Sequence, residues 1–465
     1  MKRTAVLNVV GLTESLLGAA TPRINEFLAK GAKATITPAF PAVTCTAQST
    51  YLTGAAPTQH GIVANGWYNR ELAEVQFWKQ SNHLVHGRKI WEELRELEPG
   101  FTCAKLFWWY NMYSTADYSI TPRPMYPADG RKFFDIYAWP YSIRTDIKID
   151  LGEFPFATFW GPAAGLKSPQ GGPDAASRWI AASAKWIETK HAPSLSLVYL
   201  PHLDYNLQRL GPKHPDIAQD LRQIDSIVGD LIEFFQKRSV QVLLLSEYGI
   251  TPVDTPIHLN RMLRKDGYLT VKQELGLEIL DCGASKAFAV ADHQIAHVYL
   301  NDPAVEKLVR LRLEQEPGVE KVLNRAEQAA LGIDHPRAGD LIAVAKENAW
   351  FTYYYWLDDQ LAPDFARCVD IHRKPGYDPV ELFLDPKIPA VKLKILWRLL
   401  KKKLGFRMLM DVIPLDATLV KGSHGRRPAS TADYPVFITE RPELLPNAQI
   451  EPTDVYDLIK RHVLH

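Results

Sequence analysis

The sequence predicts an α/β fold built on a mostly parallel sheet sandwiched by helices, with irregular insertions that act as a lid or cap. Three observations predict it: short apolar runs recur along 465 residues, segments with helical apolar spacing separate them, and no internal repeat or low-complexity tract interrupts the alternation. The length exceeds one ordinary domain, so a single large unit over residues 1–465 is expected, with lid-like insertions at about 109–180 and 350–415.

The first run, Ala5–Val10, reads as a buried strand passing into the loop Gly11-Leu12-Thr13. Lys2 and Arg3 precede it, but the apolar stretch breaks too early for a secretory signal. Further runs at Cys103–Trp108, Leu195–Pro201, Gln241–Ser246, Ala296–Leu300 and Asp340–Ala345 suit strands of a parallel sheet covered on both faces. Between them, residues 14–31, 176–190 and 215–238 carry apolar positions at helical spacing. Residues 109–180 are dense in aromatics and prolines, as an irregular lid would be.

Bulk composition excludes several classes. Lysine plus arginine number 54 against 53 acidic residues, so net charge gives no argument for a nucleic-acid polymer as partner. Cys45, Cys103, Cys282 and Cys368 lie far apart with no C-x-x-C spacing, which argues against a zinc ribbon or a disulfide scaffold and for a reducing, cytoplasmic setting. No stretch holds the roughly 18–20 uninterrupted apolar residues of a membrane span.

In sheets of this kind the loops beyond the carboxyl ends of the strands carry the chemistry. The segment 36–65 concentrates the candidates: Phe40-Pro41-Ala42-Val43-Thr44, then Thr53-Gly54, Pro57, His60-Gly61-Ile62-Val63 and Asn65. It resembles the threonine loop of the nucleotide pyrophosphatase/phosphodiesterase branch of the alkaline phosphatase superfamily. The resemblance implies an alkaline phosphatase-like fold and metal-assisted cleavage of a phosphate mono- or diester, with Thr44 as nucleophile.

The family's metal ligands map onto this chain with substitutions. The acid expected after the first strand falls at Val10, beside Gly11-Leu12; Asn8, two residues earlier, offers an amide oxygen. The D-x-x-x-H segment appears as Asp204 with Gln208 in the histidine position, and S-D-H-G-M becomes Ser246-Glu247-Tyr248-Gly249-Ile250. The late H-G motif supplies His424. Asp204, Glu247 and His424 are therefore candidate ligands for divalent zinc, manganese or magnesium. The oxygen-rich replacements favour a hard ion such as Mn²⁺, Mg²⁺ or Ca²⁺.

Asp370 and His372, with Asp378 in the same loop, are further candidate ligands. So are Asp292, His293 and His297, although His297 at the head of an apolar strand suits a satisfied core residue. Asn65, Gln208 and Tyr248 are candidate substrate contacts. The aromatic sets at 107–110 and 159–160 would stack a planar or isoprenoid group if they faced the site.

Residues 390–407 combine an apolar helical face, Leu393, Leu396, Trp397, Leu400 and Leu404, with a cluster of lysines and arginines. This pattern suits either peripheral membrane contact or packing on the body with a solvated basic face. The expected partner is a small phosphorylated substrate. The three altered ligand positions set a second reading beside hydrolysis: a catalytically silent relative that binds a phosphorylated ligand or a protein.

Overall fold

The computed structural model describes residues 1–167 and 171–465. Its strands, in chain order, are β1 (Thr4–Val9), β2 (Ala32–Ile36), β3 (Cys103–Leu106), β4 (Tyr118–Pro122), β5 (Ile136–Trp139), β6 (Leu195–Leu200), β7 (Gln241–Leu245), β8 (Ala287–Asp292), β9 (Ile295–Leu300), β10 (Val319–Leu323), β11 (Leu341–Ala345), β12 (Val436–Thr439) and β13 (Gln449–Ile450). The helices used below are α1 (Thr44–Thr53), α2 (Ala175–His191), α3 (His202–Leu210), α4 (Ile217–Gln236), α5 (Val391–Lys403) and α6 (Asp454–Leu464). Further helices, among them Ile90–Leu97, Tyr141–Leu151 and Glu306–Glu314, and short two-stranded pairs complete the described residues.

Nine strands form the central sheet in the order β13-β2-β12-β7-β1-β6-β3-β4-β5. It is mostly parallel. Only β12 and the edge strand β5 run against their neighbours. Every residue of β1 and β6 is buried, which explains why these strands read as continuous apolar runs rather than alternating ones. Helix α4 covers one face through Ile217, Leu221, Ile224, Val228, Leu231 and Phe235, the spacing of one helical stripe.

Two expectations need correction. Ala296–Leu300 and Asp340–Ala345 lie outside the central sheet: they are β9 and β11 of a separate antiparallel sheet, ordered β8-β9-β11-β10, with its own hydrophobic core. Because β9 and β11 are buried along their whole length, their sequences resemble those of parallel strands. The aromatic stretch after residue 109 is also less irregular than expected, since it contributes β4 and β5 to the sheet edge.

The β8–β9 hairpin matters most for function. Its tip, Asp292-His293-Gln294, is buried, with His293 in the left-handed region at φ 61°. The Gln294 N–H donates to the His424 carbonyl at 2.8 Å, so the second sheet is pinned against the carboxyl end of the first.

Candidate active site

Thr44 is the first residue of α1, a helix whose side chains are nearly all buried although most are polar. Such a segment folds only if its hydroxyls are satisfied: Thr50 Oγ1 donates to the Thr46 carbonyl at 2.9 Å and Thr53 Oγ1 to the Ser49 carbonyl at 2.7 Å. Gly54, at φ 65°, ends the helix.

The Thr44 hydroxyl lies 3.1 Å from the Tyr248 phenol oxygen, and that phenol donates to Asp204 Oδ1, also at 3.1 Å. A phenol has one proton to give, so Thr44 is the donor in the first bond. The result is a directed chain, Thr44 O–H to Tyr248 O–H to Asp204. Asp204 stands in the first turn of α3, just beyond β6, and Tyr248 just beyond β7. Burial pushes the Asp204 carboxyl up to about 7, with the Tyr248 hydrogen bond opposing.

On the other side of Thr44, Glu247 is fully buried. Its Oε1 accepts from Gln48 Nε2 at 2.6 Å and from Asn8 Nδ2. Burial raises this carboxyl to about 8, opposed by the hydrogen bonds from Gln48 and Asn8. Glu247 Oε2 and Asn8 Oδ1 are buried without a hydrogen-bond partner.

The Thr44 loop is held in place from two directions. Asn65 Oδ1 accepts the Cys45 N–H at 3.0 Å, while the Asn65 N–H and Nδ2 donate to the two carboxylate oxygens of Asp292 at 2.8 and 3.1 Å. Removing the amide leaves a helix N–H and one oxygen of a buried carboxyl group without a partner, while the Asn65 backbone N–H still reaches the other oxygen. Asn65→Ala is therefore expected to cost about 3 kcal/mol, read by urea unfolding; a loss below about 0.5 kcal/mol would refute this role.

Asp292 also has a pH consequence. Burial raises its carboxyl to about 7. The folded state thus holds a proton that the unfolded chain releases near its ordinary value of about 4. Its contribution to stability falls as pH rises from about 4 to 7 and is constant above that. Between pH 5 and 8, Asp292→Asn is expected to lose less melting temperature than wild type; an equal loss would show that Asp292 is not the group responsible.

A column of four rings links the two sheets. Tyr248 stacks on His424, His424 on His293 and His293 on Tyr377, each pair with centroids 3.6 Å apart. His424 Nδ1 lies 2.7 Å from the Ala42 carbonyl, which can only accept, so Nδ1 carries a proton. Burial lowers His424 to about 3 and His293 well below the usual histidine range, leaving the rings neutral where they face each other. Tyr377 O–H donates to Gln208 Oε1 at 3.0 Å.

The other candidates have other partners. The Asp370 N–H donates to Glu381 and His372 Nδ1 lies 3.3 Å from the Phe77 carbonyl. Asp378 is paired with buried Lys374 at 2.7 Å, as is Glu381. His297 bonds the Val63 carbonyl and the Gly339 N–H and is a satisfied core residue. Phe107 packs among Phe154, Phe159 and Trp179, whereas Trp160 leans on Tyr377 and donates to Glu381.

Gln48 and Tyr377 were not foreseen. Gln48 sits four residues after Thr44, on the same face of α1, a spacing that would have revealed it. Nothing local marks Tyr377, whose partners come from three distant segments.

The chain matches the family model described as type I phosphodiesterase / nucleotide pyrophosphatase over residues 4–378. It belongs to this family. An uncharacterised pyrophosphatase/phosphodiesterase of Schizosaccharomyces pombe is 28% identical over 98 residues, 18% of this chain and 20% of that protein. The chain thus matches about a fifth of the length of that relative. Two solved structures share the fold at 15% identity. Murine ectonucleotide pyrophosphatase/phosphodiesterase 5 has a TM-score of 0.59 with 100% of this chain and 95% of that one covered. Phosphonoacetate hydrolase of Sinorhizobium meliloti 1021, in complex with phosphonoformate, has a TM-score of 0.61 with 99% and 95% covered.

Phosphodiesterases of this family are generally metal-dependent, so the donor set must be tested for a cation. The expected two-cation arrangement does not fit. Among the described residues no group of three His, Cys, Asp or Glu is placed to hold a metal ion. Tyr248 hydrogen-bonds Asp204, and Tyr377 occupies the Gln208 oxygen. Glu247 Oε2 and Asn8 Oδ1, buried without a partner on two side chains that hydrogen-bond each other, are oxygen donors of the kind a hard divalent ion accepts.

Proposed function

We propose that this chain hydrolyses a phosphoric mono- or diester through a covalent Thr44 intermediate. The observation that carries the reading is the directed hydrogen-bond chain from Thr44 through Tyr248 to Asp204, a carboxyl that burial holds near 7. A hydroxyl nucleophile needs an acceptor for its proton, and this chain provides one.

In the first half-reaction, Thr44 Oγ1 attacks phosphorus and the bond to the leaving alkoxide breaks. The Thr44 proton passes to Tyr248 while the Tyr248 proton passes to Asp204. In the second half-reaction, water attacks the phosphothreonine and its bond to Thr44 breaks. Asp204 returns a proton through Tyr248 to Thr44 Oγ1, and the proton lost by water goes through solvent to the released alkoxide. Asn8 and Glu247 would hold a hard divalent ion, which supplies positive charge beside the Thr44 oxygen when bound. Helix α1, which begins at Thr44, adds the positive end of its dipole on the same side.

The replaced ligands also give the binding-only reading a footing, because His424 and Gln208 are committed to the ring column. Chelator-stripped protein assayed on bis(p-nitrophenyl) phosphate and p-nitrophenyl phosphate separates the two. The hydrolase should regain turnover with Mg²⁺ or Mn²⁺. Folded protein that stays inactive with Mg²⁺, Mn²⁺, Ca²⁺ and Zn²⁺ would be a binding protein.

A further inference from the structure

Helix α5 has two apolar sides: Val391 and Ile395 pack against the core of the second sheet, while a longer apolar stripe is turned to solvent. Lys394, Arg398 and Lys402, spaced four apart, turn toward the body: Lys394 and Arg398 pair with Asp411 at 2.8 and 3.1 Å, and Lys402 donates to the Lys132 carbonyl at 3.2 Å. Leu393, Leu396, Trp397, Leu400 and Leu404 point outward, and Leu396 and Trp397 are 64% and 55% exposed. No residue of the helix is fully buried. A helix that packed only on its own core would place that longer stripe inward.

A second apolar element lies beside it. The Met125 and Phe133 backbones exchange hydrogen bonds at 2.8 and 2.9 Å, forming a small hairpin that exposes Tyr126 and Phe134. Arg407 donates to the Asp129 carbonyl at 3.0 Å and Lys402 lies over the Phe134 ring at 5.6 Å, so hairpin and helix form one surface. Contiguous exposed apolar surface of this kind marks an interaction site.

Charge selects the occupant. Residues 390–407 contain seven lysines and arginines and no acidic residue, in a chain whose net charge is only +1. Lys132 adds to this at the hairpin, where Arg131 is paired with Asp129. A second copy of the chain would bring the same cations face to face. Outward leucines and a tryptophan ringed by lysines match the boundary of an anionic bilayer, where acyl chains take up the apolar stripe and lipid headgroups meet the cations. We propose that α5 and the 125–133 hairpin dock the protein on anionic membrane surfaces. This docking does not depend on the hydrolytic reading.

Co-sedimentation of the full chain with vesicles tests it. Binding to phosphatidylcholine/phosphatidylserine vesicles is expected, weakened by raised salt, with far less binding to phosphatidylcholine alone. The double variants L396D/W397D and K401E/K403E should each weaken binding at least about tenfold, with unchanged thermal melting. No binding to anionic vesicles, equal binding to both vesicle types, or full binding by either variant would overturn the proposal. So would a dimer in sedimentation velocity that L396D/W397D dissolves, since that would assign the face to a second copy.

Discussion

Thr44→Ala is expected to reduce phosphoric ester turnover by at least about a thousandfold while leaving the melting temperature within about two degrees of wild type. The effect is large because the proposed mechanism has no route around a missing nucleophile: Tyr248 and Asp204 receive a proton and form no bond to phosphorus. The fold should survive because the lost hydroxyl makes one hydrogen bond, to Tyr248, and the loop is held by Asn65, Asp292 and the Ala42 contact to His424. Steady-state assays beside thermal melts check both halves. Retained turnover would remove Thr44 from the mechanism.

Tyr248→Phe should lower kcat by about a hundredfold or more, the usual worth of general base assistance. It keeps the ring that stacks on His424 and removes only the oxygen between Thr44 and Asp204. A pH profile makes the test specific. Asp204 accepts a proton only when ionised, and burial holds it near 7, so the wild-type rate should rise as pH increases through about 7 and level off above it. The variant should lose that rise. A Tyr248→Phe enzyme with lowered kcat and an unchanged rise would place the titrating base elsewhere.

Thr44, Asp204, Glu247 and Tyr248 were legible because each sits in a short segment whose neighbours fix its place at the carboxyl end of a strand. Their chain order then fixed the sheet. What remained hidden depends on contacts across the chain. Asp292 and His293 reach the site because a hairpin of a second sheet points its tip at Asn65 and His424, and nothing in VADHQIAHVYL distinguishes such a hairpin from a strand of the central sheet. Tyr377 enters the ring column through a loop whose Asp378 pairs with Lys374 instead.

Helix α5 shows the same limit on a smaller scale. Its periodicity announced two faces, yet which one turned outward was settled by Asp411, a partner beyond the helix. The metal ligands show it in reverse. Residue types alone suggested that Asp204, Glu247, His424, Asp370 and His372 would converge, whereas hydrogen bonds engage Asp204 Oδ1 and His424 Nδ1, and Glu247 Oε2 and Asn8 Oδ1 are left buried without a partner.

Rapid acid quench during turnover, followed by mass spectrometry of the peptide that contains Thr44, is the most direct measurement. The mechanism predicts a phosphoryl or phosphodiester adduct on Thr44 that forms within the first turnover and is absent from Thr44→Ala. Sustained hydrolysis by the wild-type chain with Thr44 unmodified at every quench time would contradict it.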